Sequence, residues 1–244
     1  MENLRRDGID HRFVAQDERE STACCCIHVD RQGNNAIIIA PNANLALTEE
    51  DVNRAREELL ASDILLLQQE IPMAVNRYAA RLAQERGIPV ILNPAPAVPL
   101  DRELLSLASF FTPNETEAEY YAGLSVQESP EEWECRTAQR LLELGARRVL
   151  LTLGKRGAFL MDGERKELFP AFEGIHAVDA TAAGDAFHGA LAVALAEGRP
   201  LEEALLFANG AGGLAASRAG AQTSLCRRAE LEQFLRKNGK GLSN

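Results

Sequence analysis

Two aspartates bracket a run of small residues in the segment from Asp179 to Asp185, which reads D-A-T-A-A-G-D. An apolar pattern with spacings of three and four follows and ends at Gly198, which predicts a helix. The N-terminus of this helix is expected at residues 182–185. A helix N-terminus presents unpaired amides and about half a positive charge, and the small residues Ala182, Ala183 and Gly184 leave those amides open to an anion.

Asp185 falls within the first turn of the predicted helix. A carboxylate disfavours simple anion binding there, but it suits a general base that takes a proton from a hydroxyl while the hydroxyl attacks phosphorus. Phosphoryl transfer therefore accounts for both the anion hole and the acid. An N-capping aspartate with small residues for close packing explains the same spacing equally well.

Composition limits the class of protein. The chain has 244 residues, 46% hydrophobic content and a net charge of -10 from 36 acidic and 26 basic residues. This length and hydrophobic content predict a globular protein with one large core or two smaller ones. The negative charge argues against nucleic acid and anionic membrane surfaces as partners, so a small-molecule partner is expected.

The first residues, 1–7, have no apolar core of a signal peptide, and no apolar run reaches the roughly 18 residues of a membrane span. A cytoplasmic location is therefore expected. The five cysteines are predicted to be reduced thiols, because Cys24, Cys25 and Cys26 are consecutive and would point alternately to opposite faces of a strand.

From Leu45 onward, helical and strand patterns alternate as in a parallel α/β layer structure. Thr48 is predicted to cap a helix that runs to about Ala61, with Asp51 completing a capping box. The patterns further predict strands at 64–68, 90–92, 110–112 and 148–152, helices at 73–86, 115–121 and 130–144, and a hairpin of 157–161 with 168–170.

Residues 23–30 and 35–39 are also strand-like, with a turn at Arg31–Asn34 and no helix between them. They predict a β-hairpin that projects from the α/β body as a lid. The chain is accordingly divided into residues 1–44, a helix end and the lid hairpin, and residues 45–244, the α/β core.

Other glycine-rich segments are less specific. The chain has no G-x-x-x-x-G-K-[ST] loop, and Gly210, Gly212 and Gly213 lie in a small-residue helix, where they are expected to permit tight packing. The run Thr152–Gly157 follows a predicted strand. Its glycines could bring the backbone close to a nucleotide, or could simply form a turn.

Five motifs in this order resemble the ribokinase-like, phosphofructokinase-B-type sugar kinases over nearly the whole chain. They are N-P-A-P-A at 93–97, T-P-N-E-T-E-A-E at 112–119, T-L-G-K-R-G at 152–157, D-A-T-A-A-G-D-A-F-H-G-A-L at 179–191, and R-A-G-A-Q-T-S at 218–224. The resemblance implies a three-layer αβα sheet with a small β lid. It also implies an ATP-dependent sugar kinase, with ribose as the favoured substrate and fructokinase-like or nucleoside kinase activity as the alternative.

The resemblance also implies roles for individual residues. Asp185 would be the general base, and the amides of residues 182–185 would form the anion hole. Asn114 and Glu117 would serve the phosphates and Mg²⁺, and Glu70 would contact the sugar. An asparagine helix cap with a charged first turn is the alternative for Asn114 and Glu117. The nucleotide would be bound by Thr152, Leu153, Gly154, Lys155, Arg156, Gly157, Gly184 and Asn209.

A monovalent cation, K⁺, is a further implication of the resemblance. Its ligands would be the carboxylate of Asp179, the Ser224 hydroxyl and the backbone oxygens of Thr181, Ala215, Arg218 and Gly220. Ala180 departs from the family motif, where threonine or proline is usual. Family members often pair through their lid strands, so a homodimer through residues 24–29 is possible on the same grounds.

The front of the chain also departs from the family pattern, because residues 4–10 resemble a segment well inside the family sequence. We therefore expect the N-terminal βα units, which carry most of the sugar site, to be missing. Such a loss predicts unpaired strand edges and low stability unless a partner covers them. A late start codon, a fragment or internal initiation would each produce this pattern. A noncatalytic, nucleotide-binding remnant is the alternative to an active kinase.

Overall fold

A computed structural model describes residues 1–29, 35–125 and 129–239. Its strands are β1 (Cys24–Val29), β2 (Asn35–Ala40), β3 (Leu65–Leu67), β4 (Val90–Leu92), β5 (Phe110–Phe111), β6 (Val149–Thr152), β7 (Ala158–Met161) and β8 (Lys166–Phe169). Its α-helices are α1 (Glu2–Arg6), α2 (Glu49–Arg54), α3 (Arg56–Ala61), α4 (Met73–Glu85), α5 (Arg102–Leu107), α6 (Glu115–Ala122), α7 (Pro130–Glu143), α8 (Ala183–Ala196), α9 (Leu201–Ala216) and α10 (Arg228–Lys237).

The central sheet has the order β3-β4-β5-β6-β7-β8. Strands β3 to β6 are parallel, with Leu65 opposite Val90 and Phe111 opposite Val149. Strands β6 to β8 form an antiparallel meander. The parallel strands consist almost entirely of apolar residues, which suits a sheet that is covered on both faces.

Helices cover both faces of the sheet and form two cores. Along β4 the side chains alternate, so that Val90 and Leu92 join one core while Ile91 joins the other. The first core includes residues of α4 to α7, and the second includes residues of α8 to α10. The predicted α/β class with three layers is confirmed.

The glycines of α9 lie at close contacts between helices. A Cβ added at Gly212 would lie 3.2 Å from the carbonyl oxygen of Ala183, and one added at Gly210 would lie 2.8 Å from a methyl carbon of Leu231. The expectation that these glycines permit tight packing is confirmed, because a side chain at either position would push α8 or α10 away.

Strands β1 and β2 form a separate antiparallel hairpin, with Cys26 opposite Ile38. The predicted hairpin is confirmed, whereas its turn at Arg31–Asn34 lies outside the described residues. Cys24, Cys25 and Cys26 are exposed, and every described cysteine is a free thiol. The division of the chain at residue 44 stays a prediction.

Several helices differ from the sequence-based expectation. Thr48 caps α2 with the expected capping box to Asp51, but the helix breaks at Ala55 and resumes as α3. Helices α5 and α10 were not predicted. Within the described ranges, no helix is long and apolar enough to cross a bilayer.

Candidate functional site

The segments with the candidate motifs lie at one edge of the central sheet. Because β3 to β6 are parallel, their carboxyl ends meet at the same edge, which is where open α/β sheets bind ligands. The segments that follow these strands are 68–70, 93–97, 112–117 and 152–157. The sheet topology therefore brings Glu70, Asn114 and Thr152 to a common edge.

Asn114 and Glu117 hold one another at the start of α6. The backbone amide of Asn114 donates to Glu117 Oε2, and the Asn114 side-chain Nδ2 donates to Glu117 Oε1. In return, the backbone amide of Glu117 donates to Asn114 Oδ1. Each of the three distances is 2.9 Å. This is the capping box that the sequence left open as an alternative. Glu117 is buried, and burial raises its pKa while the hydrogen bonds from Asn114 oppose the rise.

The turn 152–157 is joined to the Asn114 segment. The Thr152 amide donates to the Pro113 carbonyl at 3.0 Å, and Leu153 donates to Gly157 at 2.8 Å. Residues Gly154–Arg156 form one turn of 3₁₀ helix, in which the Lys155 side chain is exposed. The Arg156 side chain extends back to Glu115 at 2.9 Å and to the buried Glu134, which anchors the turn to α6 and α7.

Gly157 and Asn209 contact the same stretch of backbone beyond β8. Gly157 has φ +101°, and a Cβ there would lie 2.1 Å from the Phe169 carbonyl oxygen. Asn209 Nδ2 donates to that same oxygen at 3.0 Å and to the Pro170 oxygen at 3.4 Å. The structure therefore brings Asn209 of α9 beside the turn 152–157, as the predicted nucleotide site requires.

The N-terminus of α8 has an unusual backbone. Ala182 adopts a left-handed conformation with φ 60°, and the Ala183 amide donates to Ala180 at 3.2 Å. The amides of Gly184 and Asp185 donate to no acceptor in the part of the chain that the structure describes. These two open amides lie within the segment 182–185 that the sequence singles out.

Asp185 is exposed, and its carboxylate makes no hydrogen bond or ion pair with any described side chain or amide. It lies in the first turn of α8, as predicted. It also lines a groove of about 290 Å³ between α8, α9 and α10, together with Gly189, Phe207, Cys226 and Arg228. A carboxylate without a partner next to open amides can accept a proton, in keeping with a general base.

Sequence reasoning did not single out His188, which follows Asp185 by three residues. It is 3% exposed, and burial lowers its pKa to about 4, opposed by the backbone groups of Gly184 and Thr112. Because the ring lies near both Gly184 and Thr112, the first turn of α8 is next to the end of β5. The one available signal was a histidine inside an apolar helical pattern.

The residues of the predicted cation site form a loop cluster. Asp179 Oδ1 accepts from the Thr181 amide and Oδ2 accepts from the Gly220 amide, both at 2.9 Å. Hydrogen bonding from Thr181, followed by that from Gly220, lowers the Asp179 pKa. The Arg218 amide donates to the Ala215 carbonyl at 3.1 Å.

The fit of this cluster to a cation rests on its oxygen donors. Each Asp179 oxygen accepts one amide and keeps a further lone pair. Ser224 is fully buried, and its hydroxyl donates to the Ala221 carbonyl at 2.8 Å, which leaves its oxygen lone pairs available. Among the described residues, no three His, Cys, Asp or Glu side chains cluster as a metal site. The oxygens of Asp179 and Ser224 that keep lone pairs are thus the donors that this cluster offers to a cation.

Glu70 lies at the carboxyl end of β3, half-buried and without a hydrogen bond to any described residue. Its neighbour Gln69 is fixed instead, because Gln69 Oε1 accepts from the Tyr121 hydroxyl at 2.7 Å and the Gln69 amide donates to Ala95 at 2.8 Å. The structure places Glu70 at the shared edge, but shows no direct contact with Asp185.

Comparison with known proteins gives consistent matches over nearly the whole chain. A profile of the pfkB family of carbohydrate kinases matches residues 1–227. The ribokinase of Haemophilus influenzae is 36% identical over 230 residues, which cover 94% of this chain and 74% of that protein.

Solved structures agree in fold. The Thermotoga maritima ribokinase superimposes with a TM-score of 0.81 at 38% identity, covering 96% of this chain and 75% of its own. The Arabidopsis thaliana ribokinase, solved with ribose and ATP, has a TM-score of 0.81 at 32% identity, covering 89% of this chain and 70% of its own.

Proposed function

The chain belongs to the pfkB family of carbohydrate kinases and is an ATP-dependent sugar kinase, and from this premise we propose that it phosphorylates the primary hydroxyl of D-ribose to give D-ribose 5-phosphate. Asp185 acts as the general base in this proposal. The observation that carries it is the exposed Asp185 carboxylate, free of partners, in the first turn of α8 beside the open amides of Gly184 and Asp185.

The chemistry follows from the positions of these groups. Asp185 removes the proton from the attacking hydroxyl, and the open amides, aided by the positive end of the α8 dipole, stabilise the charge that develops on the transferred phosphoryl group. Ala182 and Ala183 leave the approach to these amides unobstructed, since neither carries a side chain beyond Cβ.

The nucleotide is assigned to the surface made by Thr152, Leu153, Gly154, Lys155, Arg156 and Gly157, with Asn209 behind it. Gly157 and Asn209 contact the same Phe169 carbonyl, which supports a common wall for the base of ATP. Lys155 is exposed on this turn and offers a cation to the phosphates. Glu70, which is half-buried and without a partner, is assigned to the sugar.

Two ions complete the proposal. Asn114 and Glu117 would hold Mg²⁺ through water, because Glu117 is buried and both its oxygens already accept hydrogen bonds. Mg²⁺ would supply charge neutralisation on the phosphates. The oxygens of Asp179, Thr181, Ala215, Arg218, Gly220 and Ser224 would hold K⁺.

The exposed apolar side chains of the hairpin support pairing of two copies through their lid strands. Ile37 is 47% exposed and Ile38 is 68% exposed. We also assign the chain to the cytoplasm, where ATP and free sugars meet. Neither assignment affects the catalytic role of Asp185.

The test is ADP formation from ATP and Mg²⁺ by the 244-residue chain, with ribose, 2-deoxyribose, fructose or a nucleoside as acceptor, with and without K⁺. We expect turnover with ribose. Preferred turnover of another acceptor would move the substrate assignment to that class. Nucleotide binding without turnover of any acceptor would favour the noncatalytic alternative.

Asp185→Asn tests the base. Because the change removes the proton acceptor and keeps the side-chain volume, turnover should fall by several orders of magnitude with little change in ATP affinity. Asp63→Asn is the matched control, since Asp63 is exposed between α3 and β3, at the opposite edge of the sheet. Turnover retained in Asp185→Asn would remove Asp185 from the role of base.

A further inference from the structure

His188 is the buried titratable side chain of α8, and both of its ring nitrogens lack a hydrogen-bond partner within the described residues. Buried polar atoms without partners are uncommon and destabilise the fold, so two on one ring beside the first turn of α8 need an explanation. A leucine would fill a similar volume without this cost. The histidine therefore lowers local stability in this arrangement.

The surroundings of the ring indicate what it does. The backbone groups of Gly184 and Thr112 lie close enough to favour its protonated form, although neither meets the geometry of a hydrogen bond to it. Gly184 belongs to the open first turn of α8, and Thr112 begins the segment that leads to Asn114 and Glu117. The ring thus lies between the two halves of the site.

Thr112 is held in place by hydrogen bonds to β4. The Thr112 amide donates to the Leu92 carbonyl at 2.9 Å and its hydroxyl donates to the same oxygen at 3.1 Å, so this residue is tied to β4. The first turn of α8 has no comparable tie to the sheet among the described hydrogen bonds. Since neither carbonyl is in hydrogen-bond geometry with the ring, a hydrogen bond from His188 to either of them would require a shift of this turn.

We propose that His188 is a positioning residue: its neutral imidazole links the first turn of α8 to the backbone at Thr112, and so holds the open amides and Asp185 in register with Asn114 and Glu117. It does not touch substrate and transfers no proton. Its role in phosphoryl transfer rests on the proposed function, whereas the structural link can be measured without any substrate.

Hydrogen exchange of the free chain tests the link directly. In His188→Leu, the amides of residues 186–188 and 115–118 should exchange at least about tenfold faster, a loss of about 1.4 kcal/mol of local stability. Urea unfolding at pH 7.5 should be unchanged or shifted to higher urea, because the change removes a buried ring nitrogen that has no partner even when the other nitrogen is bonded. Leu191→Met, a volume-conserving change one turn later on the same buried face, is the control and should leave both segments unchanged.

The wild-type chain provides a second test that does not depend on a variant folding. Long-range ¹⁵N NMR of the His188 ring at pH 7.5 should show a single tautomer, because one N–H group is fixed by a carbonyl. A mixture of both tautomers, or unchanged exchange of either segment in His188→Leu, would overturn the link.

Kinetics test the consequence for the reaction. His188→Leu should lower kcat by about tenfold or more with the KM values for ATP and sugar within about twofold, since the groups are still present but misaligned. Unchanged kcat beside altered exchange would restrict His188 to a structural role and overturn its part in catalysis. If the wild-type chain shows no turnover, the proposed function fails, while the exchange and tautomer measurements still decide the link.

Discussion

Acid should destabilise this protein through His188 more than through any exposed histidine. Burial lowers the pKa of His188 from 6.5 to about 4, and no charged side chain contributes to the change. Between pH 6.5 and about 4, the His188 ring therefore binds a proton in the unfolded chain but stays neutral in the folded chain. The stability from this neutral ring is fully present above pH 6.5 and is lost as the pH falls from 6.5 towards 4.

The magnitude follows from the two pKa values. Their difference corresponds to about 3 kcal/mol at a pH below both, and about 1 kcal/mol of this should be lost between pH 7.5 and 5.5. Urea unfolding of wild type and His188→Leu at these two pH values measures it. The lower value stays above the pI of about 5.0, where the acidic chain keeps a net charge.

The comparison with His188→Leu removes the contribution of every other titrating group, since both chains share them. The wild type should lose about 1 kcal/mol more than the variant on acidification. Leu191→Met should follow the wild type. Parallel losses in wild type and His188→Leu would refute the argument that the ring is buried in its neutral form.

Two further substitutions test the backbone of the site. Gly157→Ala should lower the free energy of unfolding by more than about 2 kcal/mol or prevent soluble expression, because a Cβ would meet the backbone of 169–171. Gly163→Ala is the control: a Cβ there has nothing within 4 Å, so the free energy of unfolding in urea should be nearly unchanged. Ala182→Gly should raise the free energy of unfolding by about 1 kcal/mol, since it relieves a left-handed alanine; a lower free energy would contradict the strain assigned to φ 60°.

Periodicity predicted the elements that bury a long apolar face. The strand at 90–92 and the helices at 73–86 and 130–144 agree with β4, α4 and α7 to within a residue or two. Their side-chain patterns repeat at 2 or 3.6 residues, and packing on the sheet reinforces what local propensity favours. The same logic located the start of α8, because small residues and an acid precede its apolar run.

The elements that were missed are short or are determined by tertiary contacts. Helix α5 has six residues and is capped by Asp101, a signal visible in sequence but too short to separate from a loop. The break at Ala55 depends on where α2 and α3 pack against α4, which no local pattern records.

The site was predicted in part for the same reason. Asp185 was recognisable from residue types and spacing, whereas Asn114 and Glu117 were singled out by the resemblance to the sugar kinases. The left-handed conformation of Ala182 was not, because alanine rarely adopts positive φ. The proximity of His188 to Thr112 was not either, because it depends on how α8 lies across the sheet.

The separation of the β1–β2 hairpin from the central sheet implies two levels of local unfolding. Its strands pair with each other and have no extensive contact with another described helix or strand, and Ile38 faces solvent. A two-stranded hairpin is marginal by itself, so its backbone amides should open without disturbing the rest of the fold. Amides of β4 and β6, buried between two helical layers, should open only when the whole molecule unfolds.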